Sequence, residues 1–268
     1  MPSFSQEHLN ELASLFARNS AIQAVVLSGS VASGTVDDRS DFDLYLYSRG
    51  AVSPNFREEI LRPRAKHLEI QRVFWEEEDA WIEHDGTQFE AMYRSCDWAD
   101  NEINARLDRF EASIGYTTAF LFNISRSHIL FDRFGWFAKL QNRLIQAYPK
   151  ELAQAITEKN FPLLGDIIGS YESQIRSAFA RKDLVSLNHR VAAWLASYFD
   201  ILFAANHRFH PGEKRLLVHA AALPTQPDGM SEDLSLACLG ATDLQNDVAD
   251  HLGKMRARLR EWLSAKGH

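Results

Sequence analysis

Cysteine is scarce: Cys96 and Cys238 are the two in 268 residues. They lie far apart, with no CxxC or Cys/His ligand spacing around them, so neither a disulfide framework nor a zinc site is supported. Both read as buried apolar residues or bystanders. Long hydrophobic runs are missing as well. No stretch approaches the roughly 18–20 uninterrupted apolar residues of a membrane span, and residues 1–12 are polar and amphipathic rather than signal-like. A soluble cytoplasmic protein with no membrane partner is the expectation. Positive charge is in deficit: the formal net charge is −7 and the sequence pI about 5.8. That argues against attraction to nucleic acid as a polyanion and favours a small molecule as partner. Internal repeats and low-complexity linkers are absent too, the loosest stretch, Leu223-Pro224-Thr225-Gln226-Pro227-Asp228-Gly229, being too short to separate independent domains. The histidines present no HExxH or Ser/His/Asp order, and His207 and His210 lack a third ligand at metal spacing.

What is present suffices for one or two ordinary cores: 46% of residues are hydrophobic and 11% aromatic. Residues 4–18 place Leu9, Leu12, Leu15 and Phe16 at a helical period. Residues 21–27 read as a short buried strand running into the small-residue turn Ser28-Gly29-Ser30, with a short helix to follow. In Asp41-Phe42-Asp43-Leu44-Tyr45-Leu46-Tyr47 the side chains alternate, so Asp41 and Asp43 share one strand face while Phe42, Leu44 and Leu46 take the other. Further strands are expected at 68–75, 80–84 and 88–93, the last two joined by an Asp85-Gly86 turn. Beyond about Asp97 the period lengthens toward 3.6. Ile167 or Ile168, Tyr171, Ile175 and Phe179 form one stripe, Leu184, Leu187, Val191, Leu195, Tyr198 and Leu202 another, and Val248, Leu252, Met255, Leu259 and Trp262 a third. Trp194, Tyr198, Phe199 and Phe203, at helical spacings, read as core rather than as a base-stacking platform.

Two carboxylates at i and i+2 of a strand project the same way from a rigid support, as oxygen ligands to a divalent cation must. A Gly-Ser turn feeding a helix N-terminus offers close backbone approach and N–H donors to phosphate. Gly29-Ser30, ten intervening residues and then Asp41-Phe42-Asp43, flanked by Val25-Val26-Leu27 and Leu44 to Tyr47, together resemble the signature of the polymerase-β-like nucleotidyltransferase superfamily. In that superfamily a third carboxylate comes from a later, neighbouring strand, as a second-metal ligand or as the base that deprotonates the acceptor. Glu90, in Gln88-Phe89-Glu90-Ala91-Met92-Tyr93, is the first candidate and Glu69 its rival. Asp37, Asp38 and Asp85 read as turn residues. Lys214, after His210-Pro211-Gly212, could reach the β- or γ-phosphate, with a solvated first helical turn as the plainer reading.

The resemblance extends to Gly115-Tyr116-Thr117-Thr118, to Ile129-Leu130-Phe131-Asp132-Arg133-Phe134-Gly135 and to His210-Pro211-Gly212-Glu213-Lys214-Arg215. These are similar to a bacterial nucleotidyltransferase group with a C-terminal helical domain, and the layout is similar to that of lincosamide and aminoglycoside nucleotidyltransferases. The resemblance implies an α+β protein: a nucleotidyltransferase-type mixed sheet with flanking helices over residues 1–96, and a helical bundle over 97–268 that completes an acceptor cleft. It implies Mg2+-dependent transfer of a nucleoside monophosphate, with AMP from ATP as the expected group, to a hydroxyl of a small-molecule acceptor; antibiotic modification is one subclass. Asp41, Asp43 and Glu90 would serve as metal and catalytic residues, and Gly29, Ser30 and Lys214 would hold the nucleotide. AMP transfer to a protein partner and a catalytically silent nucleotide-binding regulator are the alternatives.

Overall fold

The computed structural model describes residues 6–29, 41–146, 148–242 and 247–267. Over these residues it is an α+β protein built on one six-stranded mixed sheet and many helices. The chain divides into two compact units, Met1–Asn104 with Asn123–Ala147, and Ala105–Phe122 with Tyr148–His268. The single cut expected after Cys96 differs from this division, because the chain returns to the first unit for residues 123–147.

In the first unit, α1 (Gln6–Phe16) leads into β1 (Ile22–Ser28), and β2 (Phe42–Ser48) into α2 (Pro54–Leu61). Ser53 caps α2 by accepting from the Phe56 N–H, and Pro54 occupies the first turn, where its missing N–H costs nothing. Then come β3 (Ala65–Arg72), β4 (Glu78–Glu83), β5 (Gln88–Ser95), α3 (Cys96–Leu107), α4 (Ala119–Arg126), β6 (His128–Asp132) and α5 (Trp136–Ile145). The strands lie in the order β3-β4-β5-β2-β1-β6, every neighbour antiparallel except β2 beside β5, which run parallel.

Alternation decides what each face of the sheet meets. Val25, Leu27, Leu44, Leu46, Trp81, Phe89 and Ala91 pack with Leu9, Leu12 and Phe16 of α1 and Ile60 and Leu61 of α2 in one core. Trp81 and Phe89 stack at 4.9 Å within it. On the opposite face Tyr47 meets Trp136 and Phe137 of α5. The expected strand over 68–75 is shifted to Ala65–Arg72. Gln71 takes a positive φ of 60° and donates its N–H to Asp79 Oδ1, which closes the ladder and leaves Val73, Phe74 and Trp75 outside it, Trp75 being 86% exposed.

In the second unit the described helices are α6 (Lys150–Gly165), α7 (Tyr171–Ala180), α8 (Leu184–Ala205), α9 (Leu216–Ala221), α10 (Met230–Gly240) and α11 (Val248–Lys266). Leu187, Val191, Trp194, Tyr198 and Leu202 of α8 pack with Ile175 of α7 and with Val248, Leu252, Met255 and Leu259 of α11. The four aromatics of α8, Trp194, Tyr198, Phe199 and Phe203, are buried, whereas Leu184 at its start is exposed. No described helix is long and apolar enough to cross a membrane.

One carboxyl in this core is polar and buried: Asp200 of α8 accepts from the Thr117 N–H at 3.0 Å and from Thr117 Oγ1 at 2.6 Å. Asn160 accepts from the Gly115 N–H, and Thr118 Oγ1 accepts from the His210 N–H. Gly115 to Thr118 are thus latched to α6 and α8, and His210 to Thr118, by buried hydrogen bonds, a reason for their residue types that needs no ligand. Burial pushes the Asp200 carboxyl from 3.8 up to about 6, against the pull of the Thr117 bonds and Arg106. Burial, and secondarily His219, hold the His210 imidazole down from 6.5 to about 4. The signs are opposite. A raised carboxyl pKa adds stability as the pH falls through 6 toward 3.8, while a lowered imidazole pKa removes stability as the pH falls from 6.5 toward 4. Each is worth about 3 kcal/mol over its window and they nearly offset. Urea unfolding at pH 7 and pH 4.5 should therefore show Asp200→Asn losing more stability than the wild type on acidification and His210→Gln losing less. Parallel pH responses in all three proteins would refute both shifts.

Candidate active site

Register brings distant residues into one row across the sheet. Ser28 of β1 is paired with Asp43 of β2, Asp43 with Glu90 of β5, Glu90 with Ala80 of β4, and Ala80 with Glu69 of β3. Directly opposed residues point to the same face, here the one opposite the core formed with α1 and α2. Asp43 and Glu90 therefore project side by side from adjacent parallel strands. Asp41, one residue ahead of β2, has the same parity; its Oδ2 accepts from Gln88 Nε2 at 3.3 Å.

Gly29 follows β1 directly, with φ +69°. A Cβ built on it would lie 1.9 Å from Asp43 Oδ2 and 2.9 Å from Asp43 Cγ. The carboxylate thus occupies the space that any other side chain at position 29 would fill, and the positive φ is one that glycine adopts without strain. Behind this contact Ser28 is buried and accepts at Oγ from Asn123 Nδ2 of α4 at 2.7 Å. Ser30 and the expected short helix lie in residues 30–40, outside the described residues.

The row beyond Glu90 is charged. Ala80, with its small side chain, leaves room for Arg72 of β3 to reach across β4. Arg72 Nη2 is 3.0 Å from Glu78 Oε1, and its Nη1 stands 3.5 Å from Glu69 Oε2 and 3.9 Å from Glu90 Oε1. Burial raises the Glu78 carboxyl above its ordinary range; Arg72 partly offsets this and Glu90 adds to it. One row along, Arg94 forms a two-pronged pair with Glu76, both bonds 2.8 Å, and its guanidinium lies over the Tyr45 ring. Tyr45 is raised by burial first; Arg94 lowers it and Asp43 raises it further. Arg94 accordingly makes a part-buried ion pair, its side chain being 14% exposed.

The donors on this face fit a hard divalent cation in kind, all being carboxylate oxygens on rigid strands or, for Asp41, one residue ahead of one. They are not gathered in number: no three His, Cys, Asp or Glu side chains among the described residues are arranged to hold a metal ion. Glu90 leans toward Arg72, and Asp41 is tied to Gln88. Of the residues singled out from sequence, Gly29, Asp43 and Glu90 stand together, with Asp41 at the margin. Glu69 shares their row but sits on the edge strand, three strands from Asp43. Lys214 belongs to the second unit, exposed in the turn before α9. Arg72, Gln88 and Asn123 were not legible as site residues, since each joins through strand register or a helix contact and none through a local motif.

Residues 115–216 match a family described as "Domain of unknown function (DUF4037)". No curated protein matches the chain. Among solved structures, a nucleotidyltransferase-like protein from Exiguobacterium sibiricum 255-15 is similar over 97% of this chain and 75% of its own, with 11% identity and a TM-score of 0.46. The Thermotoga maritima CCA-adding enzyme complexed with tRNA is similar over 96% and 68%, with 12% identity and a TM-score of 0.34. Both TM-scores lie below 0.5, so the reading of the site rests on the geometry of this chain.

Proposed function

We propose that the chain is a nucleotidyltransferase that moves AMP from ATP to a hydroxyl of a small-molecule acceptor, with Mg2+ as its metal. The contact of Gly29 against the Asp43 carboxylate, with Glu90 in the paired position on the next strand, carries the reading. It joins the small-residue turn and the acidic strand of the sequence signature in one place.

Asp41 and Asp43 would hold Mg2+, whose chemistry when bound is to orient the triphosphate and neutralise charge developing at the α-phosphorus. The Gly29-Ser30 backbone would bring N–H donors to the phosphates, and Lys214 is assigned to the nucleotide from its residue type and its place after His210-Pro211-Gly212. Glu90 would take the acceptor's hydroxyl proton or complete the metal site. The acceptor oxygen then bonds to the α-phosphorus, the bond from that phosphorus to the bridging oxygen breaks, and pyrophosphate leaves with the electron pair. The acidic chain and its lack of a basic stripe favour a small acceptor over nucleic acid. In this proposal the unit of Met1–Asn104 with Asn123–Ala147 is the catalytic one.

The test is incubation with labelled ATP, Mg2+ and a panel of hydroxyl-bearing small molecules, read out as pyrophosphate release and an AMP-bearing product. Absence of pyrophosphate release across NTPs and acceptors would overturn the proposal. A Gly29→Ala variant separates this contact from general packing. The added methyl must displace Asp43 Oδ2, so turnover should fall on the order of 10²-fold, as expected for a catalytic group moved by about 1 Å. The strain of a left-handed alanine costs about 1–2 kcal/mol in stability. Wild-type turnover in a folded Gly29→Ala protein would separate the turn from the site.

A further inference from the structure

Three carboxylates and one guanidinium occupy the same side of the β3-β4-β5 ladder. Arg72 pairs with Glu78 across the strands at 3.0 Å and places Nη1 between Glu69 and Glu90. Two features put it there. The ladder between β3 and β4 is irregular between Glu69 and Arg72, where Gln71 takes its positive φ and ties its N–H to Asp79. Ala80, paired with both Glu69 and Glu90, offers no side chain long enough to block the diagonal from Arg72 to Glu90. Arg72 is mostly covered, at 23% side-chain exposure, and Glu90 partly so, at 31%. Water between them is limited and their attraction is less screened than at an open surface.

Glu90 is consequently turned toward a cation the chain itself supplies. We propose that Arg72 is a positioning residue that competes with the divalent cation for Glu90: it holds the carboxylate on the β4 side of its strand, and the metal site closes only when Glu90 swings from Arg72 toward Asp43. This rests on the nucleotidyltransferase reading and deepens it, by naming which group keeps the third carboxylate away from the other two. It also accounts for a row that carries the right donors without gathering three of them. With Glu69 and Glu78 beside it, the guanidinium keeps two other carboxylate partners after Glu90 leaves, so the exchange strands no charge.

The test is Mn2+ binding by calorimetry, without nucleotide, in the wild type, Arg72→Gln, Glu90→Gln and the double variant. Removing a cation from beside a ligand carboxylate should tighten Mn2+ binding by roughly tenfold, the lower end of the shift a neighbouring opposite charge imposes on a carboxyl's affinity for a proton. In the Glu90→Gln background the same Arg72 change should have little effect, which a merely structural arginine would not produce. Equal Mn2+ affinity in wild type and folded Arg72→Gln would overturn the proposal, as would full tightening in the double variant. Arg72→Met replaces Arg72→Gln should the latter fail to fold; failure of both would assign Arg72 to the stability of the sheet and overturn the proposal too. The outcome is separable from that of the function assay: a wild type that releases no pyrophosphate yet shows this coupling retains the Arg72 competition and loses the reaction.

Discussion

Asp43→Asn should abolish turnover, by on the order of 10³-fold or more, and leave the fold in place. The two halves of that expectation have different physical sources. Asp43 is near the start of β2, half-buried, on the face opposite the main apolar core. Its strand is held by Leu44 and Leu46 in that core and by Tyr47 against α5. Asparagine has nearly the same shape, so it fits the space that Gly29 leaves. What it removes is a full negative charge at the point where a cation must be held, and losing several kcal/mol of transition-state stabilisation corresponds to three or more decades in rate. Pyrophosphate release measured beside thermal unfolding distinguishes the two. A folded Asp43→Asn protein with wild-type turnover would remove Asp43 from the mechanism and with it the metal assignment.

Period-two alternation is a local signal, and where it holds the sequence reads well. Strands expected at 21–27, 80–84 and 88–93 appear at Ile22–Ser28, Glu78–Glu83 and Gln88–Ser95, and parity alone put Asp43 and Leu44 on opposite faces. Propensity without register was less dependable. Val73, Phe74 and Trp75 have strand-forming side chains, yet the Gln71 turn and the buried Asp79 end the ladder before them. β6 was missed because five residues between two helices carry too short a pattern, and its pairing with β1 lies more than a hundred residues away in sequence. For the same reason periodicity offers one boundary near residue 96 where the units are interleaved. The site divides along the same line. Gly29 and Asp43 are legible as types at a spacing, whereas the neighbour of β2 is a tertiary fact, and a choice between Glu69 and Glu90 depends on it.

That choice yields the second large effect. Glu90→Gln should lower turnover by about 10² to 10⁴-fold, the range for loss of a general base, while Glu69→Gln should cost less than about tenfold, the effect of an exposed charge outside the reacting set. The reason is distance counted in strands. Glu90 is the direct partner of Asp43 on the adjacent strand, while Glu69 lies two strands further out, past Ala80. At about 4.8 Å per strand its backbone is roughly 14 Å from that of Asp43, too far for both side chains to serve one reacting centre. Glu69 is moreover engaged with His67 at 3.1 Å and with Arg72. The kinetic pattern separates the two roles open to Glu90. A fall in kcat with nucleotide KM and Mn2+ affinity unchanged identifies the base, since the lost interaction then exists only in the transition state. A fall accompanied by weaker Mn2+ binding identifies a ligand, the outcome that competition with Arg72 requires. If Glu69→Gln proves the damaging change and Glu90→Gln is silent, the catalytic centre lies toward the edge of the sheet, and the pairing of Glu90 with Asp43 is a feature of the fold alone.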